Sequence, residues 1–481
     1  MTDKDINLTM LVDFYELTMA NGYFENGMAD KVACFDLFFR RVPDNGGFAI
    51  MAGLEQLIDY LEKLSFTTAD IDYLRARGIF SDGFLQYLAD FTFSCDVYAI
   101  PEGTPIFPGE PILTVKGPII QAQFIETAAL LYINHQSLIT TKANRIVRAA
   151  KGRSVIEMGS RRAQGSDGAV LGARAAYIGG TDGSSCTIAD SLYGVPALGT
   201  MAHSWVQSFD SEYEAFSKYA QLYPENCTLL VDTYDTLKSG IPNAIKLFKE
   251  MNLANGAIRI DSGDAAYLSK KARKMLEAAG LTGIKIIISN SLDEYTIKDL
   301  LIQKAPIDGF GVGERLITSK TEPVFGGVYK LVAVADENGL VPKIKVSNNP
   351  EKVTTPGFKQ VYRLFEKSND KAIADVITLF DEEISDKDGA TYTIFDPNHT
   401  WKRRELTDFY VVKLLVPIFE KGKLIYRKPS LAEIRDYSRG EVNKLWEESL
   451  RFENPHQFYV DLSQQLWDLK HELLKKHTEK K

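Results

Sequence analysis

Short apolar runs alternate with helical stretches between about Ser154 and Val334, and polar or glycine residues follow each run. This alternation predicts strands joined by helices, which favours a parallel sheet. The predicted strands are residues 155–158, 176–178, 196–198, 229–231, 258–260, 286–288 and 309–310. Because polar residues follow nearly every strand, we predict a β/α barrel with its site at the carboxyl ends of the strands. An open doubly wound sheet is the alternative, although it would concentrate polar residues at one switch point.

The residues on either side of this region follow other patterns. Apolar spacing predicts helices over 8–24 and 53–64 and a strand over 32–39. Pro118 can open a long helical segment that runs to about residue 150. The final residues, from about 391, alternate short strands with two charged helices. We therefore expect both ends of the chain to form structure outside the barrel.

The composition is ordinary for a globular protein. The 481 residues are 45% hydrophobic and 25% charged, and this length indicates two or three domains. Lys and Arg number 56 and Asp and Glu 64, so the net charge is −8 and a nucleic-acid partner is not expected. The sequence has no membrane-length apolar run and no signal-peptide pattern, which predicts a cytoplasmic protein without a membrane partner. The four cysteines lie far apart, so we expect small buried side chains, with neither a zinc site nor disulfides.

A polar cluster follows the predicted strand at 258–260. Asp261, Ser262 and Asp264 crowd around Gly263, and repelling carboxylates at a strand end indicate a bound cation or an acid–base group. Asp264 has a simpler interpretation, as the cap of a helix predicted from about 265 to 279. Asp261, together with Arg259 in the strand itself, is therefore the candidate functional pair.

His203 is the only one of the six histidines that follows a predicted barrel strand. Its imidazole can titrate near neutral pH and can act as a nucleophile. The other histidines lie in an apolar helical segment or in the C-terminal region, where we expect structural roles. The sequence has neither a Ser-His-Asp order nor a His-Glu-x-x-His metal signature.

Two segments follow the last two predicted strands and offer free backbone amides. Asn290 and Ser291 follow one strand, and Gly311 and Gly313 follow the next. Barrels commonly bind a phosphate group at this position. The adjacent pair of arginines at 161–162 adds cations suited to carboxylate or phosphate. An anionic ligand is therefore predicted.

These motifs together resemble the nicotinate phosphoribosyltransferase family, a type II phosphoribosyltransferase family, over nearly the whole chain. The matching segments, in family order, are 157–165 (EMGSRRAQG), 199–204 (GTMAHS), 259–264 (RIDSGD) and 311–313 (GVG), with flanking motifs at 11–15 (LVDFY) and 352–357 (KVTTPG). The resemblance implies an incomplete β/α barrel, a discontinuous α/β domain of open-sandwich type and a C-terminal extension. Mapped onto this chain, the discontinuous domain is 1–120 with about 335–390, the barrel is 121–334 and the extension is 391–481.

The resemblance implies a reaction in NAD salvage. Such an enzyme forms nicotinate mononucleotide and pyrophosphate from nicotinate and phosphoribosyl pyrophosphate. ATP hydrolysis is coupled to the transfer through a phosphorylated histidine, which matches His203. The implied partners also include Mg²⁺, and the family works as a homodimer with shared active sites. Asp232 matches the carboxylate that is expected to orient the imidazole.

The resemblance also implies roles for the remaining site residues. Those expected around the pyridine ring are Tyr15 from the partner subunit, Met158, Arg161, Asp182 and Arg259. Asp261 is expected near the ribose and the Mg²⁺-bound pyrophosphate, and the 5-phosphate is expected on Asn290, Ser291, Gly311 and Gly313. Met158 departs from the phenylalanine often present in relatives, although a methionine can still cover a ring.

Two alternatives remain at this point. A nicotinamide phosphoribosyltransferase shares the residues that correspond to Asp182 and Arg259, whereas the paired arginines favour nicotinate. A non-catalytic nucleotide-sensing protein on the same scaffold has no need of His203 or Asp261.

Overall fold

A computed structural model of the chain describes residues 7–478. The chain forms two compact units: the central unit, Ile139–Pro323, and the flanking unit, residues 7–138 with 324–478. No helix among these residues is long and apolar enough to cross a membrane. The C-terminal residues 391–478 belong to the flanking unit together with the N-terminal residues. The three-part division that the resemblance implies stays a prediction.

The strands are β1 (Val32–Phe39), β2 (Ala49–Ile50), β3 (Asp96–Ala99), β4 (Pro105–Ile106), β5 (Leu113–Pro118), β6 (Ser154–Glu157), β7 (Gly183–Ser184), β8 (Thr228–Leu230), β9 (Ala257–Ile260), β10 (Lys285–Ser289), β11 (Gly309–Val312), β12 (Gly327–Asp336), β13 (Gly339–Pro342), β14 (Lys359–Glu366), β15 (Ala372–Leu379), β16 (Tyr392–Phe395), β17 (Arg403–Leu406), β18 (Phe409–Lys413), β19 (Val416–Glu420), β20 (Lys423–Leu424) and β21 (Val460–Leu462).

The α-helices are α1 (Phe14–Glu25), α2 (Leu54–Glu62), α3 (Thr68–Ala76), α4 (Asp82–Ala89), α5 (Ile119–Gln123), α6 (Glu126–Ala149), α7 (Gly165–Ile178), α8 (Thr187–Tyr193), α9 (His203–Gln207), α10 (Glu212–Leu222), α11 (Ile241–Glu250), α12 (Ala265–Ala278), α13 (Glu294–Ile302), α14 (Glu314–Ile317), α15 (Leu431–Asn443) and α16 (Gln464–Thr478).

The central unit contains a six-stranded parallel sheet in the order β7-β6-β11-β10-β9-β8. Its apolar runs explain this sheet, because Ile286 and Ile288 of β10 pair with Ile258 and Ile260 of β9 and all four are buried. The β6 strand pairs with both β7 and β11, which puts the first strand of the unit beside its last, as in a β/α barrel. Within residues 7–478 no ladder joins β7 to β8, and the incomplete barrel stays a prediction.

Two of the predicted strands are wrong. Residues 176–178 form the last turn of α7, because their apolar run continues the buried face of that helix. Residues 196–198 make a single bridge, between Ser184 and Ala197, and Pro196 cannot donate to a ladder. The strand that follows α7 is the short β7 instead.

The flanking unit is built on an antiparallel sheet of seven strands in the order β13-β12-β1-β5-β3-β19-β20. The predicted strand at 32–39 is confirmed as β1, which pairs with β5 and β12. A second sheet has the order β18-β14-β15-β21. Because β19 pairs with β3, the C-terminal residues share a sheet with the N-terminal ones.

The cysteines are buried and free, as predicted. Burial raises the pKa of Cys34 to about 12 and that of Cys227 to about 11. These thiols therefore behave as small apolar side chains.

Candidate active site

Two cavities open at the carboxyl ends of the parallel strands of the central unit. The glycine cavity has a volume of about 170 Å³ and lies against the loops that follow β10 and β11. The histidine cavity, of about 500 Å³, lies against the segment that leads into α9. Both cavities are lined by Met158, Arg161, Arg259 and Asp261. The structure thus brings most of the predicted residues to one edge of one sheet.

The remaining lining residues differ between the cavities. The glycine cavity adds Arg162, Ser289, Asn290, Ser291, Leu292, Gly311, Gly313, Glu314, Arg315 and Lys320. The histidine cavity adds Ser185, Thr187, Ala197, Leu198, Gly199, Thr200, Met201, Ala202, His203 and Leu230.

Arg259 and Asp261 lie on the boundary between the two cavities. The guanidinium of Arg259 donates to Asp261 Oδ1 at 2.9 Å, to Ser289 Oγ at 2.9 Å and to Thr200 Oγ1 at 2.9 Å. Ser289 donates in turn to the same Asp261 oxygen. This network fixes the carboxylate while 31% of the Asp261 side chain stays exposed. A fixed and accessible carboxylate can stabilise positive charge on a ligand.

His203 begins α9 at the mouth of the histidine cavity, with 40% of its side chain exposed. Its Nδ1 lies 3.1 Å from Thr233 Oγ1, and its Nε2 lies 3.9 Å from Asp261 Oδ2. The hydroxyl therefore holds one ring nitrogen and leaves the other close to the carboxylate.

Asp232 supports the backbone of the polar cluster. Its Oδ2 accepts from the Asp261 amide at 3.0 Å and from Ser262 Oγ at 2.6 Å. No hydrogen bond joins Asp232 to His203 in the described part of the chain, where the imidazole partner is Thr233. Sequence reasoning missed Thr233, although it directly follows Asp232. Asp264 caps α12 by accepting from the Tyr267 amide at 2.6 Å, as predicted.

The loops beside the glycine cavity have unusual backbone conformations. Asn290 and Ser291 have φ angles of 84° and 53°, in the left-handed region that non-glycine residues rarely adopt. A Cβ on Gly311 would lie 2.6 Å from Met158 Sδ, so this glycine makes room for the methionine. Ser289 and Gly311 are paired across β10 and β11, which brings the two loops together.

A buried carboxylate that sequence reasoning missed, Glu157, positions the loop that contains Met158. Glu157 accepts from the Gly159 amide and from Ser184 Oγ, the latter at 2.6 Å. Burial raises the pKa of Glu157, although both hydrogen bonds oppose the shift. The side chain thus ties the ends of β6 and β7 together and positions the segment that carries Met158 and Arg161.

The glycine cavity is cationic even though the whole chain is acidic. Arg161 and Arg162 are exposed in the short turn at Ser160–Arg162. Sequence reasoning assigned no role to Arg315, in α14, or to Lys320, which follows α14, and both line the same cavity. Five cationic side chains and two carboxylates line this cavity, which favours a multiply charged anion.

Two predicted site residues lie elsewhere. Asp182 accepts from Ser154 Oγ at 2.7 Å and from the Val155 amide at 3.2 Å, at the amino end of β6, and it lines neither cavity. Tyr15 belongs to the flanking unit and is 44% exposed in α1. Burial and the Glu126 carboxylate raise the pKa of Tyr15.

The described residues include no group of three or more His, Cys, Asp or Glu side chains that could hold a metal ion. Asp261 and Glu314 are the carboxylates of the glycine cavity, and Asp261 also lines the histidine cavity. One carboxylate suits a Mg²⁺ ion that arrives bound to substrate phosphates, which is how proteins commonly bind this ion.

Known proteins resemble the chain over almost its whole length. Residues 10–134, 154–367 and 358–470 match the models of the nicotinate phosphoribosyltransferase N-terminal domain, family and C-terminal domain. The chain is 45% identical over 469 residues to the nicotinate phosphoribosyltransferase of Bacillus subtilis, covering 97% of this chain and 95% of the relative. It is 32% identical over 518 residues to the human nicotinate phosphoribosyltransferase, covering 95% of each.

The fold is also similar to a solved structure. The crystal structure of human nicotinic acid phosphoribosyltransferase superposes with a TM-score of 0.84 at 30% identity, over 96% of this chain and 99% of that one. The predicted α/β fold class is confirmed by the sheets and by this similarity. Three family models and full-length relatives agree with the ordered motifs of the sequence, and the chain belongs to the nicotinate phosphoribosyltransferase family.

Proposed function

We propose that this chain is an enzyme of NAD salvage that transfers the 5-phosphoribosyl group of phosphoribosyl pyrophosphate to the ring nitrogen of nicotinate. The new bond joins that nitrogen to C1 of the ribose, and the bond from C1 to pyrophosphate breaks. Pyrophosphate leaves with the electron pair, and nicotinate mononucleotide is the other product. The observation that carries this proposal is the boundary between the cavities, where Arg161, Arg259 and Asp261 face both at once.

The ring of nicotinate lies, in this proposal, against Met158 on the boundary between the cavities. Arg161 is exposed there and supplies the fork that a carboxylate accepts. Arg259 is held by three hydrogen bonds and is thereby oriented before substrate binds. Tyr15 of the partner subunit covers the second face of the ring in a homodimer.

Asp261 stabilises the ribose as positive charge develops at C1 in the transition state. Its fixed position supports this role, because Arg259 and Ser289 hold one oxygen. Asp261 would hold a Mg²⁺ ion that arrives with the pyrophosphate group, and the ion would neutralise charge on that leaving group.

The 5-phosphate binds, in this proposal, in the glycine cavity. Gly311, Gly313, Asn290 and Ser291 line it, and glycine lets a phosphate approach the backbone closely. The surplus of cationic side chains there supports an anionic ligand.

ATP is a co-substrate that phosphorylates His203. His203 Nδ1 lies 3.1 Å from Thr233 Oγ1. In this proposal Nδ1 donates to that hydroxyl, which leaves Nε2 with its lone pair as the nucleophile. Nε2 bonds to the γ-phosphorus as the bond to the β-phosphate oxygen breaks, which releases ADP. Water later cleaves the phosphohistidine to orthophosphate. The dianionic phosphoryl group changes the charge beside Asp261 and Arg259, which couples hydrolysis to binding at the boundary.

A product assay tests this function. The chain is incubated with phosphoribosyl pyrophosphate and either nicotinate or nicotinamide, with and without ATP, and mononucleotide is quantified. We expect product from nicotinate, more of it with ATP, and little from nicotinamide. Absence of product from nicotinate under every condition would refute the proposal, and product from nicotinamide alone would favour the sister activity. The cytoplasmic location stays a prediction.

A further inference from the structure

An ion pair joins the segments that directly follow the two loops beside the glycine cavity. Asp293 follows β10 and Arg315 follows β11, and a guanidinium nitrogen of Arg315 donates to Asp293 Oδ2. The Asp293 side chain is 6% exposed, whereas that of Arg315 is 37% exposed and lines the cavity. The pair therefore joins a buried carboxylate to a cation that lies at the surface assigned above to the 5-phosphate.

The same carboxylate also starts the helix that follows. Asp293 Oδ1 accepts from the Thr296 amide at 2.8 Å as the cap of α13. Burial opposes the charged form, yet the hydrogen bonds from Thr296 and Arg315 hold the pKa of Asp293 below its ordinary value. One side chain thus connects the start of α13 to α14, the short helix that follows β11.

A second connection runs beneath the first. The next residue, Glu294, is fully buried and accepts from Lys142 Nζ at 3.0 Å and Arg145 Nε at 2.8 Å. Lys142 also donates to Thr321 Oγ1 at 2.9 Å, in the segment after α14. The residues after β10 and after β11 are therefore linked both at the cavity and in the core of the central unit.

These links hold a backbone segment, Asn290 and Ser291, whose conformation is unfavourable. Two successive non-glycine residues with positive φ cost conformational energy and persist only where the surroundings impose them. Leu292 is buried directly after them, and Asp293 and Glu294 follow. The strained backbone that faces the cavity is thus held at its C-terminal side by three consecutive anchored residues.

We propose that Asp293 and Arg315 form a positioning pair that holds the two loops at the spacing required by the 5-phosphate of phosphoribosyl pyrophosphate. The proposal rests on the function proposed above. Neither residue reacts. Arg315 acts through Asp293, and the pair acts through the backbone of residues 290–291 and 311–313.

The test uses variants that keep the helix cap. Asp293→Asn retains a capping oxygen and removes the charge, while Arg315→Gln removes the cation. We expect each to raise the KM for phosphoribosyl pyrophosphate about tenfold and to leave the KM for nicotinate unchanged. The double variant should be no worse than the worse single one, because both remove one interaction. Arg315→Lys should recover part of the affinity.

A matched pair at the opposite ends of the same strands provides the control. Asp308 precedes β11, pairs with Arg273 at 2.9 Å and accepts from the Ile286 amide at 2.8 Å. Asp308→Asn and Arg273→Gln each break a comparable ion pair, which lies at the end of the strands opposite the cavity. We expect them to leave both KM values unchanged.

Three kinetic results would overturn the positioning role. An equal rise in both KM values would indicate general loss of structure. An effect of Arg315→Gln without one of Asp293→Asn would make Arg315 a direct phosphate ligand. The same effect in the Asp308 control would remove the specificity for these loops.

Calorimetric titration with phosphoribosyl pyrophosphate gives a readout that is independent of turnover. We expect Asp293→Asn to weaken the Kd about tenfold relative to the unchanged chain. An unchanged Kd would overturn the pair even in an active enzyme. A chain that binds tightly and forms no mononucleotide would refute the proposed reaction and leave the positioning pair supported.

Discussion

At the amino ends of the parallel strands of the central unit, polar side chains pair with backbone groups and with each other. Asp308 pairs with Arg273, and Asp182 accepts from the start of β6. At the carboxyl ends the same residue types surround two cavities, and Arg259 and Asp261 remain partly exposed. The difference teaches that Asp and Arg alone do not mark a site. Whether these residues form a site depends on which end of the strands they occupy, because the carboxyl ends face the amino ends of the helices and the intervening loops.

The largest expected effect is on ATP hydrolysis, and it should depend on His203 and not on a histidine outside the central unit. His203→Ala should abolish ATP hydrolysis and its coupling while leaving slow phosphoribosyl transfer, since no nucleophile remains for the γ-phosphate. Release of orthophosphate from ATP measures this. His399→Ala is the control, because His399 pairs with Asp396 in the flanking unit. Unchanged ATP hydrolysis in His203→Ala would contradict the phosphohistidine.

We expect the two adjacent arginines to have different roles. Arg161 lines both cavities, whereas Arg162 lines only the glycine cavity. We expect Arg161→Gln to lower the preference for nicotinate over nicotinamide about tenfold, because a charge-assisted hydrogen bond to the carboxylate is lost. Arg162→Gln should leave that preference unchanged. The ratio of kcat/KM for nicotinate to that for nicotinamide measures this preference. Equal effects of the two variants on that ratio would refute the separate roles of Arg161 and Arg162.

A smaller effect distinguishes two glycines of one strand. A Cβ on Gly311 would lie 2.6 Å from Met158 Sδ, whereas one on Gly309 would meet its nearest neighbour, Ser154 Cβ, at 3.5 Å. Because Met158 Sδ belongs to a flexible side chain that can move aside, we expect Gly311→Ala to cost at most about 1 kcal/mol of unfolding free energy. Gly309→Ala should cost clearly less. Urea denaturation measures both, and equal losses would show that the crowding at the carboxyl end is unimportant.

The smallest effect concerns pH. Burial raises the pKa of Glu157 above its ordinary value of 4.5, so the folded chain binds this proton more tightly than the unfolded chain. The stability contributed by Glu157 is therefore complete below pH 4.5 and is lost as the pH rises through the folded-state value. Glu157→Gln should show a smaller fall in unfolding free energy between pH 4.5 and 8 than the unchanged chain. Parallel curves would contradict the buried carboxylate.

The parts of the fold that sequence could predict are those where one local pattern dominates. The isoleucines at 286–288 and the run at 32–39 are rich in β-branched or aromatic residues, and both are strands. The run at 176–178 is equally apolar, but it completes the buried face of α7. Apolar runs of this length do not distinguish a buried strand from the end of a buried helix.

The site shows the same limit. The alternation of strands and helices predicts parallel strands whose carboxyl ends share one edge, and Asn290, Gly311 and Asp261 lie at that edge. The partners of a side chain depend on distances of a few ångströms that no spacing encodes. Thus Thr233 contacts His203 where Asp232 was expected, and Arg315, two residues after the 311–313 motif, lines the cavity without a predicted role.

The central claim is that chemistry takes place at the carboxyl ends of the parallel strands, with Asp261 at the reacting centre. The most direct test measures nicotinate mononucleotide formation by Asp261→Asn and Asp308→Asn beside the unchanged chain, per folded molecule. We predict a loss of about 10²–10³-fold in Asp261→Asn and an unchanged rate in Asp308→Asn. Equal rates in the two variants, whether both low or both unchanged, would contradict the account.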